Sequence, residues 1–121
     1  MNIQQVLEQY WPFIALSSWL GYKWWDSKRV VAMLPSLRQK GGTFLDVRST
    51  QEFTHAHAPG CINIPLQQLS ERLTELSKTR PVVVCCASGS RSGMAKMLLK
   101  RNGFNEVHNV GSWTKLLDGD S

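Results

Sequence analysis

The sequence predicts an α/β fold, a small, mainly parallel sheet flanked by helices, with an additional helix at the amino terminus. Segments with strand character alternate with segments of helical periodicity, which is typical of a parallel sheet. The run Val82–Cys85 is unbroken, apolar and β-branched, as expected for a strand that is covered on both faces. With 121 residues, of which 42% are hydrophobic and 19% charged, the chain is long enough for one domain with a core, or one domain plus an appendage.

The amino-terminal segment is apolar and rich in tryptophan. No residue from Gln9 to Tyr22 is charged, and four of the five tryptophans lie in the first 25 residues. Apolar residues recur at a spacing that predicts an amphipathic helix: Ile3, Val6, Leu7, Tyr10 and Ile14. The uncharged run is shorter than the ~20 residues that a membrane-spanning helix needs, and no basic residue precedes it as in a secretory signal. We expect residues 1–21 to form a helical extension that packs on its own domain, on a second copy of the chain, or in a bilayer interface.

The remaining elements are expected in residues 22–121, the predicted domain. Ser27 is a suitable N-cap for a helix over Lys28–Gln39, in which Pro35 predicts a break or a kink. The other elements are strands at Thr43–Val47, Ile62–Ile64, Val82–Cys85 and Glu106–Val110, and helices at Leu66–Leu76 and Ser92–Asn102. One face of this last helix is predicted to point to the core: Met94, Met97 and Leu98.

Composition limits the partners and the compartment. The formal net charge of +5 favours anionic partners, and we expect a small anion rather than a nucleic acid. Three cysteines do not form an ordinary set of disulfide pairs, so we expect reduced thiols in a cytoplasmic protein. His55, His57 and Cys61 do not have the spacing of a metal site, because two histidines two residues apart leave a helix on different faces.

The segment Val82–Ser92 carries the chemistry. A buried strand ends at Cys85, Cys86 and small polar residues follow as a loop, and a helix then begins. The backbone N–H groups of such a loop can surround an anion, and the positive end of the helix dipole points to the same place. Both effects stabilise a thiolate, so we expect Cys86 to be a nucleophile with a lowered pKa. Cys85, inside the strand, is expected to be a core residue.

The motifs around this loop resemble those of the rhodanese-like sulfurtransferase domain. Four segments carry the resemblance, in the family's order: D-V-R-x-x-x-E-[FY] within Leu45–Phe53, H-I-x-G-A-x-N-I-P at His57–Pro65, the active loop at Cys86–Arg91, and the closing strand and turn at Gly103–Trp113. The resemblance implies that the Cys86 thiolate takes the outer sulfur of a donor such as thiosulfate or a persulfide and becomes a persulfide itself. It then passes this sulfur to a thiol or cyanide acceptor, in two half-reactions without a metal or an organic cofactor.

Roles are expected for the neighbours of Cys86 as well. The loop residues are predicted to bind the anionic substrate: Ala87, Ser88, Gly89, Ser90, Arg91 and Ser92. Asp46 is predicted to support the loop by accepting backbone or arginine hydrogen bonds, and Arg48 to pair with Glu52 across a helical turn. Many thiosulfate-using members carry arginine directly after the cysteine, where this chain has Ala87, and this departure argues against thiosulfate as the physiological donor. Cys61 stands where the family has alanine, and we expect a small buried residue there rather than a resolving thiol.

Two alternative functions are compatible with the same segment. Counted from Cys85, the loop has the C-x5-R spacing of cysteine phosphatases, but Val84 stands where those enzymes carry histidine and Gly89 falls in register with Cys86. Alternatively, the domain is a sulfur carrier or a scaffold that holds sulfur on Cys86 without turning over. The carrier and the enzyme would use the same residues.

Overall fold

The computed structural model describes residues 2–118 and confirms the α/β architecture, a parallel sheet with helices on both faces. The helices of the described chain are α1 (Ile3–Gln39), α2 (Thr50–His55), α3 (Leu66–Leu69), α4 (Ser90–Arg101) and α5 (Lys115–Asp118), with a 3-10 turn at Leu73–Glu75. The strands are β1 (Thr43–Asp46), β2 (Ile62–Asn63), β3 (Val82–Cys86) and β4 (Val107–Ser112). They pair in parallel in the order β2-β1-β3-β4.

The central strand β3 separates two hydrophobic clusters. Val82, Val84 and Cys86 face the cluster that α3 and α4 cover, whereas Val83 and Cys85 face the cluster that α1 and α5 cover. Every residue of β3 is buried, as expected for a parallel strand between two helical layers. Because side chains alternate along a strand, the two adjacent cysteines lie on opposite faces of the sheet.

The strand register brings the carboxyl ends of three strands to one edge of the sheet. Asp46 at the end of β1 pairs with Cys85, while Cys85 and Cys86 pair with Gly111 and Ser112 of β4. Loops that leave this edge are the usual site of ligand binding in open α/β sheets. The loop after β3 leaves the sheet at this edge, and a functional site is therefore expected there.

The structure corrects the prediction for α1, which is one continuous helix from Ile3 to Gln39. Ser27 is not an N-cap but lies inside the helix, where its hydroxyl donates to the Val110 carbonyl at 2.9 Å. The helix does not break at Pro35, which is exposed. A proline costs one backbone hydrogen bond, and the packing of α1 against the sheet offsets this loss. The residues that pack there are Val30, Leu34 and Leu37.

The first part of α1 does not pack into the core of its own domain. The side chains of residues 3–25 are exposed, apart from that of the half-buried Val6. Of the three expected environments for this segment, packing on its own core is therefore wrong. Between residues 2 and 118, no helix has both the length and the apolar character that crossing a membrane requires.

Two further predictions about helices are wrong. Leu66–Leu76 is not one helix but the short helix α3 followed by the separate 3-10 turn. In α4, Met94 and Met97 are 62% and 58% exposed, while small or apolar residues on the opposite side are buried: Ser92, Ala95 and Leu99. Leu98 is half-buried against the core. Small side chains let α4 approach the sheet closely, and this approach turns the two methionines to the surface.

Deletion of residues 1–20 is expected to leave the domain folded. The side chains of residues 3–20 are exposed apart from that of the half-buried Val6, so the free energy of unfolding is expected to change by less than about 1 kcal/mol. Leu34→Ala, which opens a cavity where α1 packs on the sheet, is expected to cost about 2–5 kcal/mol. Urea unfolding followed by circular dichroism compares the two variants with the full chain. Loss of a cooperative transition in the deletion would show that residues 1–20 belong to the folding unit.

Candidate active site

Cys86 lies at the end of β3, where the chain turns into α4. Gly89 makes this turn with a φ of +109°, in the left-handed region that favours glycine. The turn directs the Gly89 N–H at Cys86 Sγ, with an N···S distance of 2.9 Å. The Ser92 hydroxyl oxygen lies 3.4 Å from the same sulfur. Residues 86–92 thus form a sulfur cradle around one buried thiol.

The sulfur cradle lowers the pKa of the Cys86 thiol below its ordinary value. Burial is the largest single influence and acts in the opposite direction, since desolvation disfavours the thiolate. Hydrogen bonds from the Ser92 hydroxyl and from the backbone N–H groups of Ser92, Gly89 and Ser88 together outweigh it. The amino end of α4 adds the positive end of its dipole. These are the conditions that activate a nucleophilic thiol.

Asn109 of β4 organises the cradle, although sequence reasoning did not single it out. Its Oδ1 accepts hydrogen bonds from the Ser92 hydroxyl at 2.7 Å and from the Gly111 N–H at 2.9 Å. Its Nδ2 donates to the Gly89 carbonyl at 3.3 Å. The only signal in the sequence was a polar side chain within a short strand, which does not distinguish a functional residue from a surface one.

The Ser92 hydroxyl has one proton, so it can donate a hydrogen bond either to Asn109 or to Cys86, but not to both. While it donates to Asn109, it can only accept from the Cys86 S–H group. Donation to a Cys86 thiolate requires the hydroxyl to leave Asn109, whereas the backbone N–H groups donate to the sulfur in either state. We therefore expect the backbone to provide most of the stabilisation of the thiolate.

Ultraviolet absorbance of the thiolate against pH tests this expectation. The difference between the wild type and Cys86→Ser should titrate with a midpoint below about 8.5, the value of a free thiol. The thiolate then extends to lower pH than that of a free thiol, and it is lost as the pH falls through the lowered pKa. In Ser92→Ala the midpoint should stay below the free value, because the N–H groups remain. A return of that midpoint to about 8.5 would assign the effect to the hydroxyl instead.

Arg91 at the start of α4 forms a two-point ion pair with α2. Its Nη1 and Nη2 donate to the two carboxylate oxygens of Glu52 at 2.7 and 3.0 Å. The hydrogen bond from Arg91 is the main reason that the pKa of Glu52 falls to about 2. The predicted pair between Arg48 and Glu52 is therefore wrong. Because Glu52 balances the charge of Arg91, the N–H groups of the cradle remain the main source of anion affinity.

Arg48 pairs instead with Asp46 at the carboxyl end of β1. The guanidinium Nε lies 3.0 Å from both oxygens of Asp46, and Nη2 donates to Asp46 Oδ2 at 2.8 Å and to the Ala56 carbonyl at 2.7 Å. The Trp113 ring covers the guanidinium at 4.7 Å. Asp46 is fully buried and Arg48 is 4% exposed. The pair joins the carboxyl end of β1 to the segment after α2, and neither side chain is hydrogen-bonded to Cys86.

The predicted loop residues take different positions around the sulfur. Three of them act on it directly: Ser88, Gly89 and Ser92. Ala87 and Ser90 are exposed on the surface of the loop, and Arg91 is turned to Glu52. Three of the six predicted residues therefore lie next to the thiol, and the other three form the rim of the loop.

Cys85 has the opposite environment from its neighbour. Its hydrogen bond with Cys61 and its burial raise the pKa of the Cys85 thiol far above the ordinary value. The same hydrogen bond lowers the pKa of Cys61, which is half-buried against the α1 cluster. Cys85 is therefore the core residue that the sequence predicted. It does not lie in the cradle that a phosphatase counted from Cys85 would need.

Residues 2–118 do not bring three or more histidine, cysteine, aspartate or glutamate side chains together as a metal site would require. His57 is instead stacked on Phe53, with ring centroids 3.9 Å apart, and its Nδ1 lies 2.7 Å from the Phe53 carbonyl.

Comparison with known proteins identifies similar chains. The profile of the family described as Rhodanese-like domain matches residues 30–118. The putative sulfur carrier protein YrkF of Bacillus subtilis is 42% identical over 66 residues, which are 54% of this chain and 36% of YrkF. The thiosulfate sulfurtransferase PspE of Escherichia coli is 37% identical over 70 residues, or 56% of this chain and 67% of PspE. This chain thus spans little more than a third of YrkF and two thirds of PspE.

A solved structure shows the same fold. A rhodanese with anions from E. coli aligns with a TM-score of 0.58 and 36% sequence identity, covering 61% of this chain and 89% of that one. The part of this chain outside the family profile includes most of α1, which is 37 residues long.

Proposed function

The chain belongs to the rhodanese-like domain family, and on that premise we propose that it moves a sulfane sulfur from a donor to an acceptor through a persulfide on Cys86. The observation that carries the proposal is the Gly89 N–H at 2.9 Å from Cys86 Sγ, at the amino end of α4. A cradle of N–H donors stabilises the thiolate that attacks and the persulfide anion that results. Sulfur transfer and sulfur carriage are also the activities named for the relatives PspE and YrkF.

The first half-reaction loads the protein with sulfur. With thiosulfate as donor, the Cys86 thiolate attacks the outer sulfur, a new S–S bond forms, and the bond to the sulfonate sulfur breaks. Sulfite leaves with the electron pair of that bond, and the negative charge moves to the outer sulfur of the persulfide. The N–H groups of Ser88, Gly89 and Ser92 hold this charge without needing a proton.

The second half-reaction returns the protein to its starting state. A thiolate or cyanide attacks the outer sulfur of the persulfide, the S–S bond breaks, and the Cys86 thiolate is released as the leaving group. Its lowered pKa favours this step, because a more stable thiolate leaves faster. In this scheme Ala87, Ser90 and Arg91 form the rim that the donor meets. The Asp46–Arg48 pair fixes the carboxyl end of β1 beside the strand that leads into the loop.

Thiosulfate, an organic persulfide, cyanide and a thiol all fit the chemistry of this scheme. Ala87 supplies no charge next to Cys86, and the charge of Arg91 is balanced by Glu52. Both facts favour a persulfide over the doubly charged thiosulfate as the physiological donor.

A sulfur carrier is the second candidate function. The 42% identity to the putative sulfur carrier YrkF favours it, and a carrier would use the same cradle. The two functions differ in whether the loaded protein releases its sulfur to a small acceptor. A phosphatase is disfavoured, because Cys85 lies on the opposite face of the sheet from the loop.

Intact mass spectrometry tests loading and release separately. The reduced protein is incubated with thiosulfate or with glutathione persulfide, desalted, and weighed before and after cyanide is added. An enzyme gains one sulfur, loses it to cyanide and forms thiocyanate catalytically. A carrier gains the sulfur and keeps it. No gain of mass with either donor would contradict both functions, and hydrolysis of an aryl phosphate would revive the phosphatase.

For the amino-terminal segment we propose an extension, residues 1–21, outside the catalytic domain of residues 22–121. Trp11, Phe13 and Trp19 are exposed on it, and such side chains suit a bilayer interface or a second copy of the chain. Sedimentation with and without anionic lipid vesicles, on the full chain and on the deletion of residues 1–20, distinguishes these two partners. A full chain that sediments as a monomer and does not bind vesicles would contradict both proposed partners.

A further inference from the structure

A cleft of about 730 Å³ lies beside the sulfur cradle. Its walls are the middle of α1 (residues 19–27), the outward face of α4, the end of β4 and Lys115 of α5. Ser88, Gly89 and Ser90 of the loop form its inner end, next to the sulfur cradle. The volume is within the range of sites that bind small organic molecules, about 300–1,000 Å³. Thiosulfate and cyanide would occupy only a small part of it.

The cleft has apolar walls that the fold does not need. Trp19 and Trp24 of α1 line one side, and Met94 and Met97 of α4 line the other. Each of these side chains is more than half exposed, so none contributes to a hydrophobic core. Large apolar side chains on both sides of one cleft are typical of a surface that a ligand covers.

The charge of the cleft favours an anion. Lys23, Lys96 and Lys115 line it together with one carboxylate, Asp26, and that carboxylate is already bound by Arg29 at 2.7 Å. Within residues 2–118, the Lys96 ammonium has no hydrogen-bond or ion-pair partner. An unpaired ammonium group beside apolar walls is complementary to a ligand that combines a hydrocarbon part with a negative charge.

We propose that this cleft binds the body of an organic thiol or persulfide that carries both apolar carbon and an anionic group. The apolar part lies between the α1 tryptophans and the α4 methionines, and the anionic group lies at Lys96. The sulfur lies at the inner end, where Gly89 also contacts Cys86 Sγ. This inference rests on the proposed sulfur transfer. It adds a substrate class for that reaction. It also means that α1 residues before the family profile, such as Trp24, influence which substrate is selected.

Three acceptor thiols separate charge from apolar contact. They are 2-mercaptoethanol, 6-mercaptohexanol and 6-mercaptohexanoate, compared by kcat/KM at equal thiolate concentration. The hexanol should exceed the ethanol, and the hexanoate should exceed the hexanol by about tenfold, which corresponds to about 1.4 kcal/mol. Equal rates for the two six-carbon thiols in the wild type would overturn the proposal.

Matched variants locate these effects in the cleft. Lys96→Gln should bring the ratio of hexanoate to hexanol close to one, and Trp24→Ala should lower kcat/KM for both six-carbon thiols. The controls are Lys100→Gln, on the same helix, and Trp11→Ala, on the same helix as Trp24. Both controls lie outside the cleft and should match the wild type. Equal losses in variants and controls would assign the selectivity to net charge or stability and overturn the proposal.

A binding measurement separates the cleft from the reaction. Cys86→Ser cannot form the persulfide, and 6-(methylthio)hexanoate has no thiol to react. Calorimetric titration of this ligand should show binding in Cys86→Ser that Lys96→Gln weakens and Lys100→Gln does not. If the full chain fails to transfer sulfur but this binding pattern holds, the proposed ligand site is supported and the proposed function is contradicted. If transfer occurs but the ligand does not bind, the proposed ligand site is contradicted and the proposed function is supported.

Discussion

Cys86→Ser is expected to abolish sulfur loading and to lower turnover by at least about a thousandfold, because no other group in the cradle can form the persulfide. A serine hydroxyl is not ionised near neutral pH, and its oxygen makes no stable bond to the donor sulfur. The Gly89 N–H and the Ser92 hydroxyl would then surround an oxygen that does not attack. Intact mass after incubation with a donor, together with thiocyanate formation, measures both parts of the expectation.

Cys85→Ser is the matched control one residue away. Its side chain lies in the α1 cluster and is hydrogen-bonded to the Cys61 thiol, so the substitution should retain most of the transfer rate at a cost in stability of about 1–2 kcal/mol. If both variants lost activity while folded, the reaction would need two thiols. If Cys86→Ser still gained sulfur, Cys86 would not be the nucleophile.

Asp46→Ala is expected to lower the free energy of unfolding by about 3–5 kcal/mol, because it leaves the buried guanidinium of Arg48 without a carboxylate. Only the Ala56 carbonyl and the Trp113 ring would remain as partners. Urea unfolding measures the loss. The Cys86 thiolate titration of the folded variant should change little, since Asp46 makes no hydrogen bond to the sulfur.

Two controls distinguish the effect of burial from that of charge. Glu75→Ala breaks the exposed pair with Arg72 and should cost less than about 1 kcal/mol. Asp46→Leu with Arg48→Met replaces the whole buried pair by apolar side chains and should recover much of the stability. Unchanged stability with lost sulfur loading in Asp46→Ala would show instead that Asp46 acts on the reaction directly.

Local patterns predicted the elements that carry the chemistry. The apolar run Val82–Cys85, the small loop residues and the helix after them were all read correctly, because period and composition report on burial and turns over short distances. The assignment of Cys85 to the core followed from its position inside the predicted strand, and the structure confirms that it is buried. The continuity of α1 through Pro35 could not be predicted in this way, since it depends on how Leu34 and Leu37 pack on the sheet.

The pairing of charged groups needed the tertiary structure. Arg48 and Glu52 have a helical spacing, but Glu52 binds Arg91, which is 39 positions away, and Arg48 is buried on Asp46. Neither ion pair can be predicted from the local sequence, because the strength of an ion pair depends on burial and on which groups the fold brings together. Asn109 was missed for the same reason, since its partners Ser92 and Gly89 lie 17 and 20 positions away, in α4 and in the loop before it.

By itself the sequence determined the α/β class, the buried strand through Cys85, and the loop of small residues between Cys86 and the following helix. These features depend on residues that are close along the chain, where backbone preferences and side-chain periods act directly. Only the tertiary structure decided which carboxylate holds which arginine, how Asn109 orients Ser92, and that Met94 and Met97 face α1 across an open cleft. Those features join residues that are far apart in the chain, and they form only when the helices pack on the sheet.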